Sequence, residues 1–165
     1  MHKGQSSRAG KVCKKMDIKQ NASFMVDHRR FGEGLYISRI DADVTTFDMR
    51  TRKPNSGEYM DNVTMHSFEH MFSTYIRNSE LDVLYFGPMG CQTGFYLLIR
   101  NADSSKVLNE IKKALNKIIS HEAEMFGNSE IECGNYLTLS LESAKAEAVR
   151  YLEALTSAPV DFKYY

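Results

Sequence analysis

Two apolar runs, LDVLYFG (residues 81–87) and TGFYLLIR (93–100), are separated only by Pro88, Met89, Gly90, Cys91 and Gln92. A link that short cannot carry the chain across a sheet to a parallel neighbour, which takes about a dozen residues or more. The two runs must therefore pair as antiparallel strands. LYISRIDADVTTFDMR holds a second pair of apolar-rich runs around Asp41, Ala42 and Asp43, which predicts a hairpin near residues 35–50. Three stretches carry helical periodicity instead. Met65, Phe68, Phe72, Tyr75 and Ile76 line one; Val107, Leu108, Ile111, Leu115, Ile118 and Ile119 line the next; Leu141, Ala144, Ala148, Leu152 and Leu155 line the last. Thr64, Asp103 and Ser140 are the expected caps at their starts. RKPNSGEYMDN reads as a turn-rich loop and NSEIECGNY as a short extended or loop stretch. No repeat or linker interrupts the series. The expected class is α+β, a single domain with an antiparallel β-sheet packed against helices.

The 165 residues suffice for one core, and no run of about 18 apolar residues predicts a membrane span. The first residues lack the apolar stretch of a signal peptide, so the expected location is cytoplasmic. Net charge is zero but uneven: residues 1–20 hold six Lys or Arg against one Asp, a net +5, which leaves −5 on the other 145. A basic leader ahead of an acidic body reads as a disordered extension over residues 1–16, with the folded domain at 17–165. Without aromatics to stack on bases it is a poor nucleic-acid arm. Whether Met16 is the natural start stays open. Three cysteines, an odd count at wide spacing, argue against a disulfide framework and leave free thiols, of which Cys13 lies idle in the leader.

TMHSFEHMFSTYIRNS (64–79) places His66, Glu69 and His70 as H-x-x-E-H. On a helix the two imidazoles share a face one turn apart, a rise of about 6 Å, and can converge on one metal ion. Ser73 and Arg77 continue the same polar stripe beside the apolar face. Two readings fit: a metal site with a base beside it, as in inverzincin-type metalloproteases, or a polar helix surface that binds nothing. Cys133, followed by Gly134, is either a thiolate ligand or a small buried apolar side chain. Cys91 lies at a strand end among Gly87, Gly90 and Gly94, where it either faces a pocket or is an ordinary loop residue.

Taken together, HSFEH, GPMGCQTGFYL and ECGNYLTLSLESAKAEA resemble the metal helix, the catalytic-cysteine loop and the third-ligand segment of the S-ribosylhomocysteine lyase (LuxS) family. SFMVDH and FDMRTRKPN are similar to its substrate-binding segments. The resemblance implies that His66, His70 and Cys133 bind a divalent metal, Fe(II) with Zn or Co as substitutes, although the ligand types alone suggest zinc. It implies Cys91 and Glu69 as the catalytic acid–base pair. It also implies Ser23, His28 and Arg50 as sugar-binding residues supplied by the partner in a homodimer with shared sites, and Arg77 near the homocysteine end. The implied activity is metal-dependent cleavage of the thioether of S-ribosylhomocysteine to homocysteine and 4,5-dihydroxy-2,3-pentanedione, the autoinducer-2 precursor of quorum sensing, within the methionine cycle. No nucleic-acid or membrane partner is implied. The alternatives are the metalloprotease and a non-catalytic metal-binding module. Tyr85, Phe86 and Gly87 stand where the family reads Asp-Ile-Ser, and the usual Ala-Pro is missing from RRFGEGLYISR. The expectation is a diverged member that binds the homocysteine end differently.

Overall fold

The computed structural model describes residues 18–164. The leader, with Cys13 and Met16, lies outside the described residues. Strands β1 (Gly34–Asp41) and β2 (Val44–Arg50) form the expected hairpin, closed at Ala42 and Asp43. Helix α1 (Asn62–Arg77) follows the loop and leads to β3 (Asp82–Pro88) and β4 (Gly94–Arg100), with α2 (Ser104–Ile119) and α3 (Leu141–Ser157) completing the domain. These four strands pair antiparallel with one another, in the order β1-β2-β4-β3. The α+β expectation holds. No helix among the described residues is long and apolar enough to cross a membrane.

The helices cover one face of the sheet. Phe68 and Phe72 of α1 meet Phe86 of β3 and Phe95 of β4 in a ring cluster with centroids 4.7–6.4 Å apart, and all four rings are buried. Aromatic pairs at such separations add attraction beyond their burial. They seat α1 on the sheet and hold its His-bearing stripe at the edge of the core.

Asp103 and Ser140 cap α2 and α3 as expected, but Asp61 rather than Thr64 caps α1: its carboxylate accepts the Thr64 N–H at 2.7 Å. The helix begins one turn earlier than the hydroxyl suggested, and that N–H bond holds Asp61 below the usual carboxylate range. Buried polar residues also depart from the simple stripes. Ser67 sits on the core side of α1 and accepts the Ser140 N–H at 2.8 Å, which ties the start of α3 to the helix that carries the histidines. Glu147 is buried in α3 because Arg52 donates to both of its oxygens at 2.6 Å.

Candidate metal centre and thiol cavity

His66 and His70 lie one turn apart on α1, their rings nearly perpendicular with centroids 4.6 Å apart. The loop before α3 brings Cys133 to them, Sγ 3.4 Å from His66 Nε2. One donor atom from each of the three lies within 4.8 Å of the others. Tetrahedral coordination with bonds of about 2.1–2.3 Å sets donors about 3.4–3.8 Å apart, so the trio needs to close by only about 1 Å.

Each imidazole is oriented from behind. His70 Nδ1 donates to the Phe126 carbonyl at 2.9 Å, which leaves Nε2 as the free lone pair. Gly127 permits that approach: it has φ +67°, and a Cβ there would stand 2.8 Å from His70 Nδ1. The Thr138 hydroxyl donates to the Asn135 carbonyl and so accepts from His66 Nδ1, both at 3.1 Å. Such outer partners fix tautomer and ring angle in metal sites. Cys133 Sγ accepts the Asn135 N–H at 3.3 Å, which orients the sulfur. Burial, with a further contribution from His70, holds His66 below the ordinary histidine range against the pull of Glu69. It thus favours the neutral form that ligates. Two neutral nitrogens, one sulfur and a fourth position left open suit a catalytic divalent metal. Glu69 lies half-buried on the same turn, with no hydrogen-bond or ion-pair partner among the described residues.

Cys91 belongs to a different cluster. Gly94 lets β4 approach β2 closely, since a Cβ there would meet the Met49 carbonyl oxygen at 2.4 Å. That packing lays the Met89–Gly94 turn against Arg50. Cys91 Sγ is then 3.0 Å from Thr93 Oγ1 and 3.8 Å from Arg50 Nη1. Arg50 is itself buried on the sheet's other face, forked onto Asp48 through Nε and Nη2. Because Thr93 Oγ1 accepts from Arg50 Nη1, its proton is free to point at the sulfur. His28 Nδ1 donates to the Val26 carbonyl at 2.8 Å. Ser23, His28, Arg50, Cys91 and Tyr96 line one cavity of about 390 Å³.

This grouping corrects one expectation. Cys91 was expected beside the metal helix, with Ser23, His28 and Arg50 supplied across a dimer. In the structure all four line a single cavity of one chain, and His66, Glu69, His70 and Cys133 do not line it. The reason is the register between β2 and β4, which pairs Arg50 directly with Gly94. Arg77 joins neither group: it is exposed at the end of α1, seven residues or about 10 Å beyond His70, and among the described residues its side chain meets only the Ser73 carbonyl, at 3.5 Å. Tyr85 lines a neighbouring cavity with Ser23, Arg39 and Tyr96, and its ring lies over Gly87, where a Cβ would fall 2.0 Å from the phenol oxygen. The two departures at 85 and 87 are thus one coupled change.

Two histidines on a helix packed against an antiparallel sheet and a cysteine from the loop before α3 thus form a possible metal site, with the Glu69 carboxylate on the same turn. The sequence model of the S-ribosylhomocysteinase (LuxS) family matches residues 21–160. S-ribosylhomocysteine lyases are similar over most of their length. That of Borreliella afzelii (strain PKo) is 37% identical over 85% of this chain and 94% of its own. That of Finegoldia magna is 38% identical over 82% and 90%, and that of Phocaeicola vulgatus 36% identical over 90% and 98%. The chain belongs to the S-ribosylhomocysteinase family. Membership removes the metalloprotease alternative.

Proposed function

We propose that the chain is a metal-dependent carbon–sulfur lyase that cleaves S-ribosylhomocysteine to homocysteine and 4,5-dihydroxy-2,3-pentanedione. The observation that carries the reading is the convergence of His66, His70 and Cys133 beside Glu69, in a chain that matches the family along most of its length. The thioether at C5 of the open-chain sugar cannot leave while the carbonyl is at C1. The carbonyl moves to C2 and then to C3, each shift taking a proton from one carbon and returning one to its neighbour. Proton loss at C4 then expels the thiolate from C5 by β-elimination. The bound ion, Fe(II) or a substitute such as Zn or Co, supplies Lewis-acid polarisation of the sugar's oxygens.

Glu69 and Cys91 are the acid–base pair. Half-buried Glu69 takes and returns a proton on the metal side. Cys91 does so on the other, where Arg50 Nη1 stands 3.8 Å from its sulfur. Ser23, His28 and Arg50 hold the sugar's hydroxyls in the thiol cavity. The pair can serve one substrate if a second copy of the chain brings its metal centre to this cavity, with two such sites per symmetric dimer. Exposed apolar side chains support the arrangement. Phe24 and Met25 at the thiol cavity are 76% and 71% exposed, and Ile131 and Leu137 flanking Cys133 are 97% and 82% exposed. Surfaces of that kind mark interaction sites. The test is to mix metal-loaded protein with S-ribosylhomocysteine and titrate the released thiol. Stoichiometric release supports the lyase; none overturns it in favour of a metal-binding module.

A further inference from the structure

The hydrogen bonds around Arg50 continue past Asp48. Residues 159–164 leave α3 and run along the outer edge of β1, where the Phe162 carbonyl accepts the Ile37 N–H at 2.8 Å next to a parallel bridge between Tyr36 and Phe162. Phe162 has φ 64°, a left-handed conformation uncommon for a bulky side chain. Two residues later Tyr164 stacks on Tyr36 with centroids 5.0 Å apart and meets Phe31 edge-on at 4.9 Å. Its hydroxyl donates to Asp48 Oδ2 at 2.7 Å, and the same oxygen accepts Arg50 Nη2. Asp48 Oδ1 accepts Arg50 Nε at 3.1 Å, and the remaining guanidinium nitrogen faces Thr93 and Cys91. Phe162 and Tyr164 lie beyond the family match, which ends at residue 160.

We propose that Tyr164 is a positioning residue for the thiol cavity: through Asp48 it fixes the rotation of the Arg50 fork and so places the cation that faces Cys91. A carboxylate that binds only the arginine can still twist and carry the fork with it. A third donor removes that freedom, and the ring shields the pair from water, where its hydrogen bonds strengthen one another. Burial, followed by the charge of Asp48, raises the phenol well above its ordinary range, so it remains a donor.

The proposal rests on Cys91 and Arg50 working together, as in the lyase reading, yet its test needs no substrate. The Tyr164→Phe variant keeps the ring and loses only the hydroxyl. Alkylation of Cys91 by iodoacetamide at pH 7, followed peptide by peptide by mass spectrometry, should slow about three- to tenfold, the loss of one hydrogen bond in the chain. The kcat for thiol release should fall in parallel, with metal content unchanged. Tyr151→Phe is the control, because its buried hydroxyl donates to the Gly34 carbonyl at 2.8 Å and neither residue lines the thiol cavity. That variant should lower Tm and leave Cys91 alkylation as it was. Equal alkylation in Tyr164→Phe and wild type would overturn the proposal, as would equal slowing in both variants. Slowing on deletion of residues 161–165 but not in Tyr164→Phe would overturn it too, since the ring alone would then be at work. A lyase reading that failed while the alkylation result held would leave this inference standing.

Discussion

His66 and His70 approach each other because one turn of a packed helix separates them, and one acceptor on the opposite loop then fixes each ring. Arg50 and Cys91 meet by another route. Arg50 ends β2 and Cys91 lies 41 residues on in the turn between β3 and β4, and a buried carboxylate, a threonine and a tyrosine from the far end of the chain hold them. The metal centre sits on a rigid element with its supports behind it. The thiol cavity lies on the other face of the sheet, where Ser23, Val26, His28, Phe31 and Tyr164 gather around Asp48 and Arg50. Damage to the metal centre should therefore act through occupancy, and damage to the cavity should act through rate at full occupancy.

The largest effect should follow loss of the sulfur ligand. Cys133→Ala removes the single thiolate of a three-residue site, so metal content measured after gel filtration should fall to background and activity with it. Stoichiometric tightly bound metal in that variant would remove Cys133 from the ligand set. Next come Cys91→Ser and Glu69→Gln, one on each side of the divide. Both should retain metal and lose about 10²–10⁴-fold in thiol release, the range of a lost general acid or base. A Cys91→Ser protein within a few-fold of wild type would show that the thiol moves no proton.

Thr138→Val sharpens the comparison at intermediate size. It keeps the shape and removes the acceptor behind His66, so metal affinity in a competition titration with a chelator should drop about 10–100-fold. Cys91 alkylation should not change; a change would mean that the two regions are not separate. The smallest effect is expected at Tyr85. Tyr85→Asp restores a carboxylate at the rim of the cavity shared with Ser23 and uncovers Gly87, and KM for S-ribosylhomocysteine should fall a few-fold without change in kcat. An unchanged KM would place the homocysteine end elsewhere.

The two regions also differ in how far the sequence revealed them. His66, Glu69 and His70 stand within five positions, so the helical period alone puts them together. The hairpins were equally plain, because five residues cannot make a crossover. Thr138 and the Phe126 carbonyl lie 72 and 56 residues from the histidines they orient, and no local pattern links them. Residue resemblance named Arg50 and Cys91, but their placement in one cavity depends on strand register, which composition does not encode. Glu147 was missed for a related reason: a carboxylate reads as solvent-facing until its arginine, 95 residues away, is known to be buried with it. Asp61 and Thr64 are both competent caps, and the backbone path decided between them.

The account's central claim is that one chain supplies the metal and another the thiol cavity. Subunit exchange between inactive variants tests it most directly. In a heterodimer of His70→Ala with Arg50→Ala, one site carries both lesions and the other carries none, so a fully exchanged equal mixture should recover about a quarter of wild-type activity by the statistics of a two-fold dimer. Arg50→Ala mixed with Cys91→Ala damages the same half of both sites and should recover nothing. Recovery in the second mixture but not the first would contradict the claim, and so would silence in both once exchange is verified.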